Sequence, residues 1–126
     1  MAIPVLYLVR ANARLYDLIR DQAPDRYEMM FLETDDPAER AEKLDRAEVI
    51  LVGGGRLDEA SIAAAPNLRL VLHQGVGYHD TVATKDLRDR QIPLAITPGG
   101  TSEGVSEHVL MMILATGRRL PALDRS

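Results

Sequence analysis

The sequence predicts an α/β fold, a doubly wound five-stranded parallel sheet with a long helix at its end. Three observations carry this. Short apolar runs alternate with polar, helix-like stretches five times along the 126 residues. The runs contain few polar positions, as strands buried between two layers of helices do. Proline, glycine and aspartate fall at the junctions, where turns and caps want them. Repeated strand–helix units give right-handed crossovers and parallel pairing, so the expected architecture is flavodoxin-like, with helices on both faces.

Residues 3–9 read as the first buried strand. Residues 13–22 read as a helix, with Leu15, Leu18 and Ile19 spaced along one face and Pro24 after its end. Residues 27–32 form a second strand. Asp36-Pro37 opens a charged helix that runs to about residue 45, with proline at the tolerated first position. Residues 48–52 make a third strand, ended by Gly53-Gly54-Gly55, and Asp58 caps a short helix through residue 64. Residues 68–72 are a fourth strand, followed by the Gly75-Val76-Gly77 loop. A short helix over 84–90 leads to a fifth strand over 92–96, and Pro98-Gly99-Gly100 then breaks the chain.

The last helix, from Thr101 or Ser102 to about Leu120, is the odd element. Val109-Leu110-Met111-Met112-Ile113-Leu114-Ala115 is apolar on every side. A surface helix shows one apolar stripe and one polar face, so this one needs cover from a second domain or a second chain. A homodimer or swapped oligomer through residues 102–120 is therefore expected.

Composition narrows the function. The formal net charge of -4 disfavours a nucleic-acid partner, because phosphate binding wants a basic face. No cysteine is present, which removes disulfides, thiolate nucleophiles and cysteine zinc sites. His73, His79 and His108 are too scattered for a metal site. The apolar start lacks a basic leader and stops at Arg10, so neither a signal nor a membrane span is expected, and the cytoplasm is the default location.

Ligands of open α/β sheets bind beyond the carboxyl ends of the strands. Gly53-Gly54-Gly55-Arg56, Gly75-Val76-Gly77-Tyr78 and Thr97-Pro98-Gly99-Gly100-Thr101 all fall there. Glycine loops let backbone N–H groups approach an anion, and Arg56 adds a charged donor for a carboxylate. Each feature alone is an ordinary turn or surface residue; together they favour a small-anion site. Gly75-Val76-Gly77 is no dinucleotide fingerprint, since Asp80 stands where a third glycine belongs. Asp80 reads as a turn residue, Tyr78 as a loop wall, His79 as exposed and His108 as a packed helix histidine. No nucleophile–base–orienter trio can be assembled.

The segment Asn67-Leu68-Arg69-Leu70-Val71-Leu72-His73-Gln74-Gly75-Val76-Gly77-Tyr78 resembles the strand and glycine loop of the D-isomer-specific 2-hydroxyacid dehydrogenases. Gln91-Ile92-Pro93-Leu94-Ala95-Ile96-Thr97-Pro98-Gly99 is similar to the strand and Thr-Pro-Gly turn that follow in that family, and Val105-Ser106-Glu107-His108-Val109 to the start of its interdomain helix. The likeness in order and spacing runs from about residue 66 to 120. It departs at Ile96, where the family has asparagine, at Gln91, where it has glycine, and after Tyr78, where one extra residue displaces the usual aspartate.

The resemblance implies an NAD- or NADP-dependent oxidoreductase acting on a small 2-oxo or 2-hydroxy carboxylate. It implies an incomplete substrate domain over residues 1–100, an interdomain helix over 101–121, and a Rossmann domain absent from this chain. Val76 and Gly77 would hold the carboxylate through backbone N–H groups, with Gly75 in the same loop and Gly55 and Arg56 lining the pocket. Thr101 would face the active site. Val76 and Val105 would lie near the cofactor. The family's catalytic arginine, acid and histidine lie downstream, so no catalytic residue is expected here, and the chain alone is expected to be inactive. The alternative is a non-enzymatic flavodoxin-like binding or dimerisation module.

Overall fold

The computed structural model describes residues 1–124. Five parallel strands, β1 (Ile3–Tyr7), β2 (Tyr27–Phe31), β3 (Val49–Val52), β4 (Leu70–His73) and β5 (Leu94–Ile96), form one sheet in the order β2-β1-β3-β4-β5. The helices are α1 (Ala13–Gln22), α2 (Pro37–Arg46), α3 (Glu59–Ala63), α4 (Thr84–Asp89), α5 (Ser102–Gly117) and α6 (Leu120–Leu123). This is the expected flavodoxin-like order. None of the described helices is long and apolar enough to cross a membrane.

Local chemistry explains the boundaries. Asn12 caps α1 by accepting from the Leu15 N–H, Asp36 caps α2 by accepting from the Ala38 N–H, and Asp58 caps α3 by accepting from the Ser61 N–H at 2.9 Å. The Ser61 contacts, the hydroxyl first, hold the Asp58 carboxyl below its ordinary range. Arg90 closes the far end of α3 by donating to the carbonyls of Ile62, Ala65 and Pro66.

The helix expected over residues 101–121 is two helices. α5 ends at Gly117, and Arg119 takes a left-handed φ of 52° before α6 starts. Glycine is a poor helix continuer, and a left-handed residue ends the hydrogen-bond run.

Helices lie on both faces of the sheet, as expected, but their cover is uneven. Leu6, Met30, Ile50, Val52 and Val71 sit in the main core with residues of α2 and α4 and the flanking loops. The opposite face carries only α1, which packs Leu15, Tyr16 and Ile19 against Tyr7, Met29, Phe31 and Leu51. Beside α1 runs an apolar groove of about 680 Å³, lined by Val5, Leu18, Val49, Leu51, Leu70 and Leu72 among others. Leu18, expected on the packed stripe of α1, is 58% exposed and faces this groove. No residue of α5 is buried, and His108, expected to be packed, is exposed.

Candidate functional site

The site forms where β3 and β4 end. The two strands are paired in register up to Val52 and His73, and the Gln74 N–H donates to the Val52 carbonyl at 2.8 Å. The loops that follow therefore leave the same edge of the sheet side by side. A Cβ on Gly53 would collide with the Tyr7 hydroxyl, and one on Gly55 would come within 2.7 Å of Val9 Cγ2. Glycine is needed at both positions so that this loop can lie against the end of β1. Gly54 and Gly77 face open space.

Among the described residues, the backbone N–H groups of Gly54, Gly55, Arg56, Val76 and Gly77 take no partner. The Arg56 side chain is exposed and makes no ion pair among the described residues. Two short runs of N–H donors without partners thus follow β3 and β4, and the exposed Arg56 belongs to one of them. Gly75 has a different job. It adopts φ 134°, donates its N–H to Thr97 Oγ1 at 2.7 Å, and accepts from the Thr97 N–H at 3.1 Å. Its N–H is thus engaged within the protein, tying the β4 loop to the chain leaving β5. Thr101 and Val105 stand exposed at the start of α5, and no hydrogen bond among the described residues links them to the glycine loops.

Beneath the loops lie groups that the sequence reading passed over. Tyr7 donates to Gln74 Oε1 at 3.4 Å, and burial, followed by the neighbouring Tyr16, raises its pKa, so it stays protonated. The His73 ring is buried, with Nε2 3.0 Å from Thr81 Oγ1 and Nδ1 without a partner. A signal existed: His73 falls two residues after the buried Val71, on the same face of β4. Tyr78 stacks on the exposed His79 with ring centroids 4.2 Å apart, and Asp80 lies in a turn. Among the described residues no group of three His, Asp or Glu could hold a metal ion.

The fold is an α/β domain with a parallel sheet in the order β2-β1-β3-β4-β5 and glycine loops at the carboxyl ends of its third and fourth strands. The chain belongs to the D-isomer specific 2-hydroxyacid dehydrogenase family, whose catalytic-domain model matches residues 6–117. It is similar to glyoxylate/hydroxypyruvate reductase B of Yersinia enterocolitica, with 33% identity over 92 residues, which are 73% of this chain and 28% of that protein. Among solved structures, a 2-hydroxyacid dehydrogenase from Ketogulonicigenium vulgare matches 98% of this chain and 39% of its own, with a TM-score of 0.77 and 29% identity. The NADPH-dependent glyoxylate/hydroxypyruvate reductase of Sinorhizobium meliloti, solved with citrate, matches 91% of this chain and 34% of its own, with a TM-score of 0.70 and 25% identity. The chain spans well under half the length of these relatives.

Proposed function

We propose that this chain is the carboxylate-holding part of an NAD(P)-dependent oxidoreductase that interconverts a small 2-oxo acid and a D-2-hydroxy acid in the cytoplasm. The observation that carries this reading is the pair of adjacent loops with unpaired N–H groups, residues 54–56 and 76–77, beside the unpaired Arg56. Backbone donors fixed at the end of a rigid sheet bind a carboxylate without reorganising, and orient the C2 carbon beside it. Val76 and Gly77 supply the central contacts, Gly55 and Arg56 the second side, and Gly75 anchors the loop through Thr97. A nicotinamide, when bound, would supply or accept the hydride at C2. The exposed side chains of Val76 and Val105 fit the apolar wall such a ring requires, and Thr101, at the start of α5, would face the same site. The described residues assemble no acid–base pair at this edge, so the isolated chain binds the acid and does not turn it over.

Titration of the 15N-labelled chain with glyoxylate tests the reading. The amide signals of Val76 and Gly77 should move saturably. Gly77→Val should abolish the movement, and because its Cβ enters open space the fold should persist. Saturable shifts confined to other residues would refute the assignment.

A second reading, a binding module that pairs through α5, is favoured by the exposure of Val105, Val109, Leu110, Met111, Met112, Ile113 and Leu114 on that helix. Contiguous exposed apolar side chains mark contact sites.

A further inference from the structure

We propose that His73 is a positioning residue that locks the two glycine loops to one another through Thr81. The inference rests on the carboxylate reading of those loops. The His73 ring is 5% exposed at the end of β4, and among the described residues its partner is Thr81 Oγ1, 3.0 Å from Nε2. Thr81 connects in two directions. Its hydroxyl lies 3.3 Å from the Tyr78 carbonyl, which also accepts the N–H groups of Thr81 and Val82 at 3.2 and 2.9 Å and so closes the turn after Val76 and Gly77. Its carbonyl accepts the Leu57 N–H at 2.8 Å, the Ala83 N–H donates to the Leu57 carbonyl at 2.9 Å, and Leu57 bridges Val82. Leu57 directly follows Arg56. One imidazole thus steadies the segment that holds both halves of the anion site.

The unpaired Nδ1 separates this role from ordinary packing. A buried polar atom without a partner destabilises the fold, and an apolar residue of similar size would avoid that cost. Among the described groups the ring offers stability nothing that leucine would not, whereas the Thr81 hydrogen bond orients the loops. With the Thr81 hydroxyl directed at the Tyr78 carbonyl, the arrangement fits a proton on Nε2. A buried N–H without an acceptor is rarer than a buried lone pair without a donor, so Nδ1 is bare. Nε2–H then donates to Thr81 Oγ1, and the Thr81 hydroxyl donates onward to the Tyr78 carbonyl.

The test uses the full 126-residue chain, with glyoxylate as the probe. Imidazole 15N spectra should show His73 protonated on Nε2 alone. His73→Leu should keep or raise the melting temperature, speed amide exchange at Leu57, and weaken glyoxylate binding about fivefold, the share of one neutral hydrogen bond. Thr81→Val should weaken binding equally, and the double variant should be no worse than either single one. His73→Gln, whose amide nitrogen reaches the Nε2 position, and Thr81→Ser should restore both affinity and slow exchange. A ring protonated on Nδ1, or single variants with unchanged exchange at Leu57, would overturn the proposal. If the unsubstituted chain binds no glyoxylate, the carboxylate reading falls, and exchange at Leu57 still decides whether His73 locks the loops.

Discussion

Along β3, Ile50 and Val52 point to one side and are fully buried, while Val49 and Leu51 point to the other and stay partly exposed. The same contrast runs through β4, where Val71 is buried and Leu70 and Leu72 line the groove. All these residues are apolar, so hydrophobicity does not distinguish the two faces. The supply of helices does. The crossovers leading to β3, β4 and β5 place α2, α3 and α4 on one face, and only α1 lies on the other. The strands are written for burial on both sides, and one side has half its cover.

The largest effect should come from bringing bare surfaces together. The exposed α5 and the groove beside α1 should drive self-association at micromolar concentration, read by sedimentation equilibrium. Ile113→Glu with Leu110→Glu should shift the chain towards monomer, because both side chains are more than half exposed and a charge there cannot enter an apolar contact. A monomer at every concentration, with no binding of a dye for apolar surface, would remove α5 as a contact surface.

Point truncations compare the faces directly. Ile50→Ala should cost about 3 kcal/mol in denaturant unfolding, the transfer and cavity cost of a buried aliphatic side chain. Leu51→Ala, one residue along and on the sparse face, should cost about 1 kcal/mol, because its methyl groups already meet solvent. If the Leu51 variant costs as much as the Ile50 variant, the groove is filled in solution. A Leu51 cost that grows with protein concentration would identify a second copy as the filling.

A smaller gain should come from Gln91, on the covered side after α4. It adopts φ 57°, a left-handed conformation that costs a non-glycine residue about 1–2 kcal/mol. Gln91→Gly should therefore stabilise the chain by about 1 kcal/mol, the relief of strain partly offset by the freer unfolded chain. No gain would mean that Gln91 makes compensating contacts.

The sequence made the strand–helix alternation, the caps at Asp36 and Asp58 and the glycine loops legible, because each is a local pattern. Parallel pairing followed from connection rules, and the order β2-β1-β3-β4-β5 came from the structure. The bare face was hidden, since periodicity tells which strand residues are apolar and not whether a helix arrives to cover them. His108 was misread for the same reason. Gly75 was grouped with Val76 and Gly77, but its N–H is taken by Thr97, twenty-two residues on, a contact no loop motif encodes. His73 was passed over because a lone histidine in an apolar strand carries no motif, although its register with Val71 marks it as buried.

The mildest test sets acid against the covered face. Glu39 on α2 accepts the N–H groups of Glu33 and Thr34, both at 2.8 Å, together with the Thr34 hydroxyl and the Lys43 ammonium. The Glu33 N–H first, then Lys43 and the Thr34 hydroxyl, lower its pKa from 4.5 to about 2. A carboxyl whose pKa is lower folded than unfolded stabilises the fold above its unfolded value, and loses that contribution as pH falls towards the folded one. The wild-type denaturation midpoint should therefore fall more steeply than that of Glu39→Gln between about pH 4.5 and pH 2, and the two slopes should agree above pH 5. The difference should be modest, because solvent and salt screen a group this close to the surface. Parallel profiles across the whole acid range would show that the clasp between the end of β2 and α2 adds nothing to the hold of α2 on its face. The hold of α2 would then rest on the burial of Leu44 and on its Asp36 cap.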